Sequence, residues 1–182
     1  MRVWEVAPED VEAIRPALCA ILVDCVRNGA SVGFLESLSG AEADAYWQRI
    51  QRAVGEGRCL LFAGALDGGD VTGTVQLDVD TLPNQPHRAT VSKLLVHTSS
   101  RGHGLGEALM AELERVALGR GRWLLTLDTA TGAAAHLYER MGWAVAGTIP
   151  AYALNPDSSL TDTTFYWKNL SGGRAHQQRA HG

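Results

Sequence analysis

The chain has 182 residues, of which 46% are hydrophobic and 20% are charged, and its formal net charge is −4. This size and composition are typical of one globular domain with a sizeable core. The acidic balance argues against a nucleic-acid-binding surface, which is normally basic. No apolar run reaches the roughly 18 residues of a membrane span, and the N-terminus does not resemble a signal peptide. We therefore expect a cytoplasmic protein with neither a membrane nor a nucleic-acid partner.

The first third of the chain predicts two helices joined by a loop. Residues 10–25 carry apolar side chains at helical spacing, although Pro16 is expected to start or kink that helix. Residues 29–35 have the composition of a loop. Ser39 and Glu42 then form a capping-box pattern, which predicts the start of a second helix.

The spacing of the apolar residues changes from helical to strand-like in the middle of the chain. The segments 58–66 and 71–79 are strand-like, and Asp67-Gly68-Gly69-Asp70 between them is typical of a hairpin turn. Residues 83–86 predict a loop, and a further strand ends with the apolar segment 91–96. The three cysteines lie in apolar stretches without metal-binding spacing, so we expect buried free thiols and no metal site.

The rest of the chain alternates between helix and strand. Residues 105–118 predict a helix, 123–128 a short buried strand, and a further helix ends at Gly142. Two last strands are expected at 143–149 and 163–167. The chain therefore predicts a single α/β domain over residues 1–170, with antiparallel strands first and a β-α-β crossover later. Residues 171–182 lack an apolar pattern and are expected to form a disordered tail.

The glycine-rich run that begins at Arg101 and ends at Gly106 links a predicted strand to a predicted helix. A helix N-terminus offers free backbone N–H groups and the positive end of the helix dipole, which suit a phosphate. Glycines allow close approach of the anion, and Arg101 can add a charged contact. The spacing fits neither a P-loop nor the dinucleotide fingerprint, which also opens the first β-α unit rather than a later one.

The run Arg101-Gly102-His103-Gly104-Leu105-Gly106 resembles the R/Q-x-x-G-x-G/A motif of the Gcn5-related N-acetyltransferase (GNAT) superfamily. A second segment of that superfamily, A-x-x-L-Y-x-x-x-G-F, resembles residues 134–143. The resemblance covers about residues 1–170 and implies the GNAT fold, a mixed and mostly antiparallel sheet flanked by helices. Stretches at 29–38, 127–132 and 150–170 look most like the tabtoxin-resistance group of acetyltransferases.

The resemblance implies acetyl-CoA as the co-substrate and assigns its binding residues. Backbone groups of the preceding strand would pair with the pantetheine arm, and the glycine-rich run would hold the pyrophosphate. Many family members carry Asn where this chain has Thr131, which can still donate a hydrogen bond. The predicted binding residues are Leu94, Leu95, Val96, Arg101, Gly102, His103, Gly104, Leu105, Gly106 and Thr131.

Two residues are the predicted catalytic groups. By resemblance, the Tyr138 hydroxyl protonates the departing thiolate. Asp128 ends a predicted buried strand beside the cleft, where it could act as the base or make a structural hydrogen bond to the adjacent loop. Weaker candidates for the base are Glu36, Asp78, Asp80, His87 and His97.

The acceptor is predicted to be a small-molecule amine, such as an amino-acid-derived toxin or antibiotic. Loops at 29–39, 81–86 and 151–160 are expected to shape its pocket, and Glu36 and Asp157 would suit a cationic substrate. A non-catalytic acyl-CoA sensor and a protein acetyltransferase remain alternatives. A homodimer formed through the last strands is also expected.

Overall fold

Seven strands and four helices make up the chain, which the computed structural model describes over residues 1–130 and 132–172. They follow one another in this order: β1 (Arg2–Glu5), α1 (Val11–Arg27), α2 (Gly40–Gly55), β2 (Cys59–Ala65), β3 (Val71–Asp78), β4 (Arg88–Val96), α3 (Leu105–Gly119), β5 (Leu124–Thr129), α4 (Gly132–Arg140), β6 (Ala144–Leu154) and β7 (Leu160–Asn169).

The strands form one mixed sheet in the order β1-β2-β3-β4-β5-β7-β6. Among the described strands, β4 and β5 are the only neighbours that run parallel, and α3 makes the crossover between them. The other neighbours are antiparallel. The predicted α/β fold, with a mostly antiparallel sheet and a late β-α-β crossover, is confirmed.

The sheet separates two hydrophobic cores. Because side chains alternate along a strand, Leu61 and Phe62 of β2 are both fully buried but lie in different cores. Helices α1 and α2 cover the Leu61 face, where Trp47 is fully buried. Helix α3 covers the Phe62 face and packs closely, since a Cβ on Gly73 of β3 would lie 2.9 Å from atoms of Leu105 and Leu109.

Most local predictions hold. The capping box at α2 is present, with the Glu42 N–H donating to Ser39 Oγ at 3.2 Å and the Ser39 N–H donating to Glu42 Oε2 at 2.9 Å. Pro16 neither starts nor ends a helix and lies inside α1. The prediction of a strand ending at 149 is wrong, because β6 continues to Leu154 and takes in part of the expected loop at 151–160. Strand β1 was not predicted, because four residues are too few to show a period.

The three cysteines carry free thiols: Cys25 and Cys59 are buried, and Cys19 is half-buried. No helix in the described ranges has the length and apolar character needed to cross a membrane. The chain continues from β7 into a turn at Ser171 and Gly172. The remainder of the predicted tail, 173–182, lies outside the described residues.

Candidate functional site

Strands β4 and β5 are paired along only part of their length. Their ladder joins Arg88–Thr90 to Leu124–Thr126, and β4 then continues to Val96 without β5 beside it. Along the open edge lies a cavity of about 790 Å³, which we call the open-edge cavity. Its lining includes Leu94, Leu95 and Val96, together with Leu105 of α3 and Leu137 of α4. An extended ligand could therefore hydrogen-bond to unpaired backbone groups there, as an added strand does.

A β-bulge in β4 lies within this open edge. On β3, Thr74 pairs with Leu95 and Gln76 pairs with Ser92, so one β3 residue faces two residues of β4. Lys93 is one of the two and has a φ of 51°, which is uncommon for a residue other than glycine. The extra residue reverses the alternation of side chains, so that Val91 lies in the α3 core and Leu95 in the α1–α2 core.

The glycine-rich turn leads directly into α3. Gly102 and Gly104 both have a φ of 78°, in the left-handed region that favours glycine. Gly104 is the N-cap of α3, and no side chain caps this end of the helix. The first N–H groups of a 15-residue helix are therefore left for another acceptor, and Gly102, Gly104, Leu105 and Gly106 all line the open-edge cavity. The arrangement suits a phosphate group.

Side chains from α1 hold the segment before this turn. The Thr98 N–H and the Thr98 Oγ1 hydroxyl each donate to the Asp24 carboxylate at 2.8 Å. Arg101 donates from Nε to the Val96 carbonyl at 3.1 Å and from Nη2 to Cys25 Sγ at 3.7 Å. In this structure the Arg101 guanidinium thus ties the turn to the end of β4, while Arg101 also lines the open-edge cavity.

His103 lies apart from the other predicted binding residues. It is exposed, its Nδ1 lies 2.9 Å from the Arg101 carbonyl oxygen, and it does not line the open-edge cavity. Thr131 is outside the described residues. The structure therefore brings together Leu94, Leu95, Val96, Arg101, Gly102, Gly104, Leu105 and Gly106 around one cavity.

A second cavity of about 530 Å³, which we call the bulge cavity, opens on the α1–α2 side of β4. Its walls come from the loop after α1, from the bulge, from the end of β5 and from β6. Its lining includes Phe34, Lys93, Asp128, Tyr152 and Thr163. Residues of the loop 29–39 and of the segment 151–160 also line it, whereas loop 81–86, Glu36 and Asp157 do not.

Asp128 differs from its prediction in one respect. Strand β5 does bury Leu125 and Leu127, but the Asp128 side chain is exposed and faces the bulge cavity. The Asp128 carboxylate is therefore in contact with solvent, although the strand that it ends was predicted to be buried. Its charge nevertheless acts on two other groups. It contributes to the raised pKa of Tyr138, and it opposes the lowering of the pKa of Lys93 that burial causes.

Tyr138 is a core residue of α4. Its side chain is 5% exposed, and its ring centroid lies 6.0 Å from that of Trp143 and 5.9 Å from that of Tyr166. Burial, and then the charge of Asp128, raise the pKa of Tyr138 well above its usual range. The phenol is therefore a weaker acid than that of a free tyrosine, and it is in its protonated form at neutral pH. Tyr138 itself lines neither cavity, whereas Leu137 beside it lines the open-edge cavity.

The weaker candidates for a base lie elsewhere. The ring of His87 stacks on Trp123 at 4.6 Å between centroids, and His97 Nδ1 lies 2.8 Å from Ser99 Oγ. Asp78 and Asp80 line a third cavity, of about 420 Å³, at the other end of β3. Of the predicted acidic or histidine bases, only Asp128 lines the bulge cavity.

Two residues of the site were not predicted from the sequence. Asp24 lies on the polar side of an ordinary helix, and nothing local connects it with Thr98, 74 residues later. Lys93 did leave a signal, because it is the one charged residue in the apolar segment 91–96. In the described part of the chain, no group of His, Cys, Asp and Glu residues could hold a metal ion.

Comparison with known proteins agrees with this fold. Solved structures with similar folds include a ribosomal-protein-alanine N-acetyltransferase from Brucella melitensis, with 23% identity and a TM-score of 0.77 over 93% of this chain and 100% of that one. A phosphinothricin acetyltransferase from Sinorhizobium meliloti in complex with AcCoA has 20% identity and a TM-score of 0.74 over 96% and 90%. The structure of yncA from Salmonella typhimurium with acetyl-CoA has 19% identity and a TM-score of 0.72 over 93% and 94%.

These identities establish a shared fold. The sequence itself is matched over residues 15–143 by the family model described as Acetyltransferase (GNAT) family. This range contains the bulge, the glycine-rich turn, Asp128 and Tyr138. The chain belongs to the GNAT family of acetyltransferases.

Proposed function

We propose that this protein is an acetyl-CoA-dependent N-acetyltransferase that acetylates a small-molecule amine by direct attack in a ternary complex. One observation carries the proposal: consecutive residues at the β4 bulge line the two cavities. Lys93 lines the bulge cavity, and the next residue, Leu94, lines the open-edge cavity. We infer that a donor in one cavity and an acceptor in the other can reach each other at this point of the strand.

The open-edge cavity has the chemistry that coenzyme A requires. The amide groups of the pantetheine arm need hydrogen-bond partners, and the edge of β4 at Leu94–Val96 has no strand beside it on the β5 side. The pyrophosphate needs donors and positive potential, which the uncapped N-terminus of α3 supplies. The similar structures from Salmonella typhimurium and Sinorhizobium meliloti both contain acetyl-CoA, which supports the same assignment here.

The acceptor must lose a proton before it can attack. An alkyl amine has a pKa near 10.4, so roughly one molecule in 10³ is neutral at pH 7, which is equivalent to about 4–5 kcal/mol. Asp128 is the carboxylate on the bulge cavity wall, and it can attract the ammonium form and take its proton directly or through water. Backbone N–H groups of β4 near Leu94 can stabilise the oxyanion that develops on the acetyl carbonyl.

Tyr138 is assigned the return of a proton to the leaving thiolate. As the C–S bond breaks and the C–N bond forms, the sulfur gains the electron pair and needs one proton. Tyr138 is a phenol at neutral pH, and its ring packs against those of Trp143 and Tyr166. Burial and the charge of Asp128 raise the pKa of Tyr138, so the phenolate left after the transfer readily regains, through water, the proton that the amine has lost.

The size of the bulge cavity favours a small acceptor. Its volume of about 530 Å³ lies within the roughly 300–1,000 Å³ that is usual for small-molecule sites. We therefore infer a metabolite-sized amine, with amino-acid-derived toxins and antibiotics as candidates, rather than a protein. We place this activity in the cytoplasm, because reducing compartments maintain free thiols such as the three found here.

Thiol release from acetyl-CoA, measured against a panel of small amines, tests the proposal. We expect release that depends on at least one amine, with a one-to-one yield of the N-acetyl product by mass spectrometry. A short peptide with a free N-terminal alanine should be a poor acceptor. Tight binding of coenzyme A with no amine-dependent release would instead indicate a sensor, and preferential acetylation of the peptide would indicate a protein acetyltransferase.

We also propose that the protein forms a homodimer through its last strands. Strand β6 is at the edge of the sheet, and exposed apolar side chains on β6 and β7 include Val145, Ile149, Leu154 and Trp167. Unpaired strand edges and apolar patches favour association. Light scattering should give the mass of two chains, and Val145→Lys with Ile149→Lys should shift it to one. A monomeric wild-type protein would contradict the dimer.

A further inference from the structure

The bulge cavity contains two opposite charges that are not paired with each other. Its lining has one cationic residue, Lys93, and one anionic residue, Asp128. The ion pairs formed within the described ranges include neither of them. Both charges are therefore available to a ligand in that cavity.

The surroundings of Lys93 make its isolation costly. The residue is half-buried at the bulge, and its Nζ lies 5.8 Å from the centroid of the Tyr46 ring on α2. On the other side is the loop after α1, where a Cβ on Gly33 would be 4.0 Å from Nζ. A half-buried ammonium that lacks a counter-ion is unfavourable, and burial accordingly lowers the pKa of Lys93 while Asp128 opposes the shift. A bound anion would supply the missing partner.

The two charges also lie at different places relative to the reaction. Asp128 lies near the end of β5, which is followed by α4, the helix that carries the proposed acid Tyr138. Lys93 contacts the Tyr46 ring on α2, on the side of the cavity that faces the first two helices. A ligand that neutralises both charges would place a cationic group beside Asp128 and an anionic group beside Lys93.

We propose that the acceptor amine also carries an acidic group, such as a carboxylate, and that the Lys93 ammonium binds this group while the amine lies beside Asp128. The inference rests on the proposed function and narrows its substrate class to zwitterionic amines of the amino-acid type. Neutral or purely cationic amines would leave Lys93 without a counter-ion. Lys93 thus becomes a specificity-determining residue.

Matched substrate pairs test this assignment. Each L-amino acid of a panel is compared with its primary amide, which keeps the amine and removes the negative charge. We expect the wild-type protein to favour the acid in kcat/KM. Lys93→Met should lower kcat/KM for the acids about 10- to 100-fold, the range for a lost charged hydrogen bond, and change the amides little. Lys93→Arg should retain the preference in part.

Arg115→Gln is the matched control, because it also removes one positive charge but lies on the exposed side of α3, paired with Glu112. It should leave the preference for acids unchanged. Equal use of acids and amides by the wild-type protein would overturn the inference while leaving the acetyltransferase intact. So would an equal loss for both members of each pair in Lys93→Met.

A result without turnover is also decisive. If no member of the panel is acetylated, calorimetric titration of the same amino acids into the coenzyme A-saturated protein separates the two claims. Binding that disappears in Lys93→Met would support the anion site although the proposed acetylation had failed. No binding of any amino acid would overturn the anion site as well.

Discussion

Lys93 and Leu94 are consecutive residues of β4, yet Lys93 lines the bulge cavity and Leu94 lines the open-edge cavity. In a regular strand, side chains alternate between the two faces of the sheet along the whole segment. The bulge offsets the pairing of β4 with β3 at this point, and Ser92 and Lys93 both line the bulge cavity. The irregularity in one strand therefore places the proposed donor site next to the proposed acceptor site.

The glycine-rich turn should tolerate a side chain poorly at Gly104. Alanine at a φ of 78° costs roughly 1–2 kcal/mol, so the turn would relax and move its N–H groups. We expect Gly104→Ala to raise the Kd for coenzyme A by roughly 5- to 30-fold in calorimetry. Gly119→Ala is the control, because Gly119 lies at the other end of α3 with open space around it. Equal affinities in all three proteins would remove the turn from the binding site.

The role of Tyr138 predicts a specific kinetic change. Tyr138→Phe keeps the ring in the core and deletes the proton donor, so we expect kcat to fall about tenfold or more with little change in the Kd of coenzyme A. Tyr166→Phe removes the hydroxyl of the neighbouring ring, which donates to Glu139 at 3.2 Å, and should retain near wild-type turnover. Unchanged turnover in Tyr138→Phe would exclude it as the acid.

The hydrogen bonds between Asp24 and Thr98, which we call the Asp24 clamp, should contribute both to stability and to cofactor binding. Asp24→Ala leaves the Thr98 N–H and hydroxyl without their acceptor, so we expect the free energy of unfolding to fall by about 1–3 kcal/mol. The Kd for coenzyme A should rise as well, because the turn loses its anchor on α1. Glu112→Ala breaks an exposed ion pair and should cost about 0–1 kcal/mol in the same urea titration. An Asp24→Ala protein as stable as wild type would rule out the clamp.

Lys93 should make the unliganded protein less stable at neutral pH. Because burial lowers its pKa in the folded state, the charged form opposes folding, and this penalty is present at low and neutral pH. It diminishes as the pH rises through the lowered pKa and is gone above the unfolded value near 10.4. Lys93→Met should therefore raise the Tm at pH 7, by an amount that shrinks toward pH 10.

The second lysine of the chain is the control for that experiment. Lys168 donates to the Glu114 carboxylate at 2.7 Å and to the Met141 carbonyl at 2.6 Å. Lys168→Met would leave Glu114, whose side chain is 13% exposed, without its cationic partner and should lower the Tm. A lower Tm in Lys93→Met at pH 7 would show that the Lys93 charge is already compensated in the free protein.

Local patterns predicted those parts of the fold that depend on neighbours in sequence. The capping box at Ser39, the hairpin between β2 and β3 and the start of α3 after Gly104 were all predicted, because each is a short-range device. The bulge was missed, because it exists only as an offset in pairing between β3 and β4. The Asp24–Thr98 contact was missed for the same reason, since it joins distant segments.

In the candidate site, too, the features set by neighbours in sequence were predicted and those set by distant segments were not. The glycine-rich turn could be read from the spacing of its residues, and all eight predicted binding residues that line the open-edge cavity come from two short stretches, 94–96 and 101–106. The exposure of Asp128 depends on how β5 separates from β4, which no local pattern encodes. The Arg101 side chain likewise turns toward Val96 and Cys25 because of the packing of α1.

A crystal structure with coenzyme A bound would be the strongest single check on the proposed donor site. We expect the pyrophosphate on the N–H groups that follow Gly104, the pantetheine arm along the edge of β4 at Leu94–Val96, and the sulfur at the bulge, facing Asp128 and Tyr138. Coenzyme A bound outside the open-edge cavity, or with its thiol directed away from the bulge cavity, would contradict it.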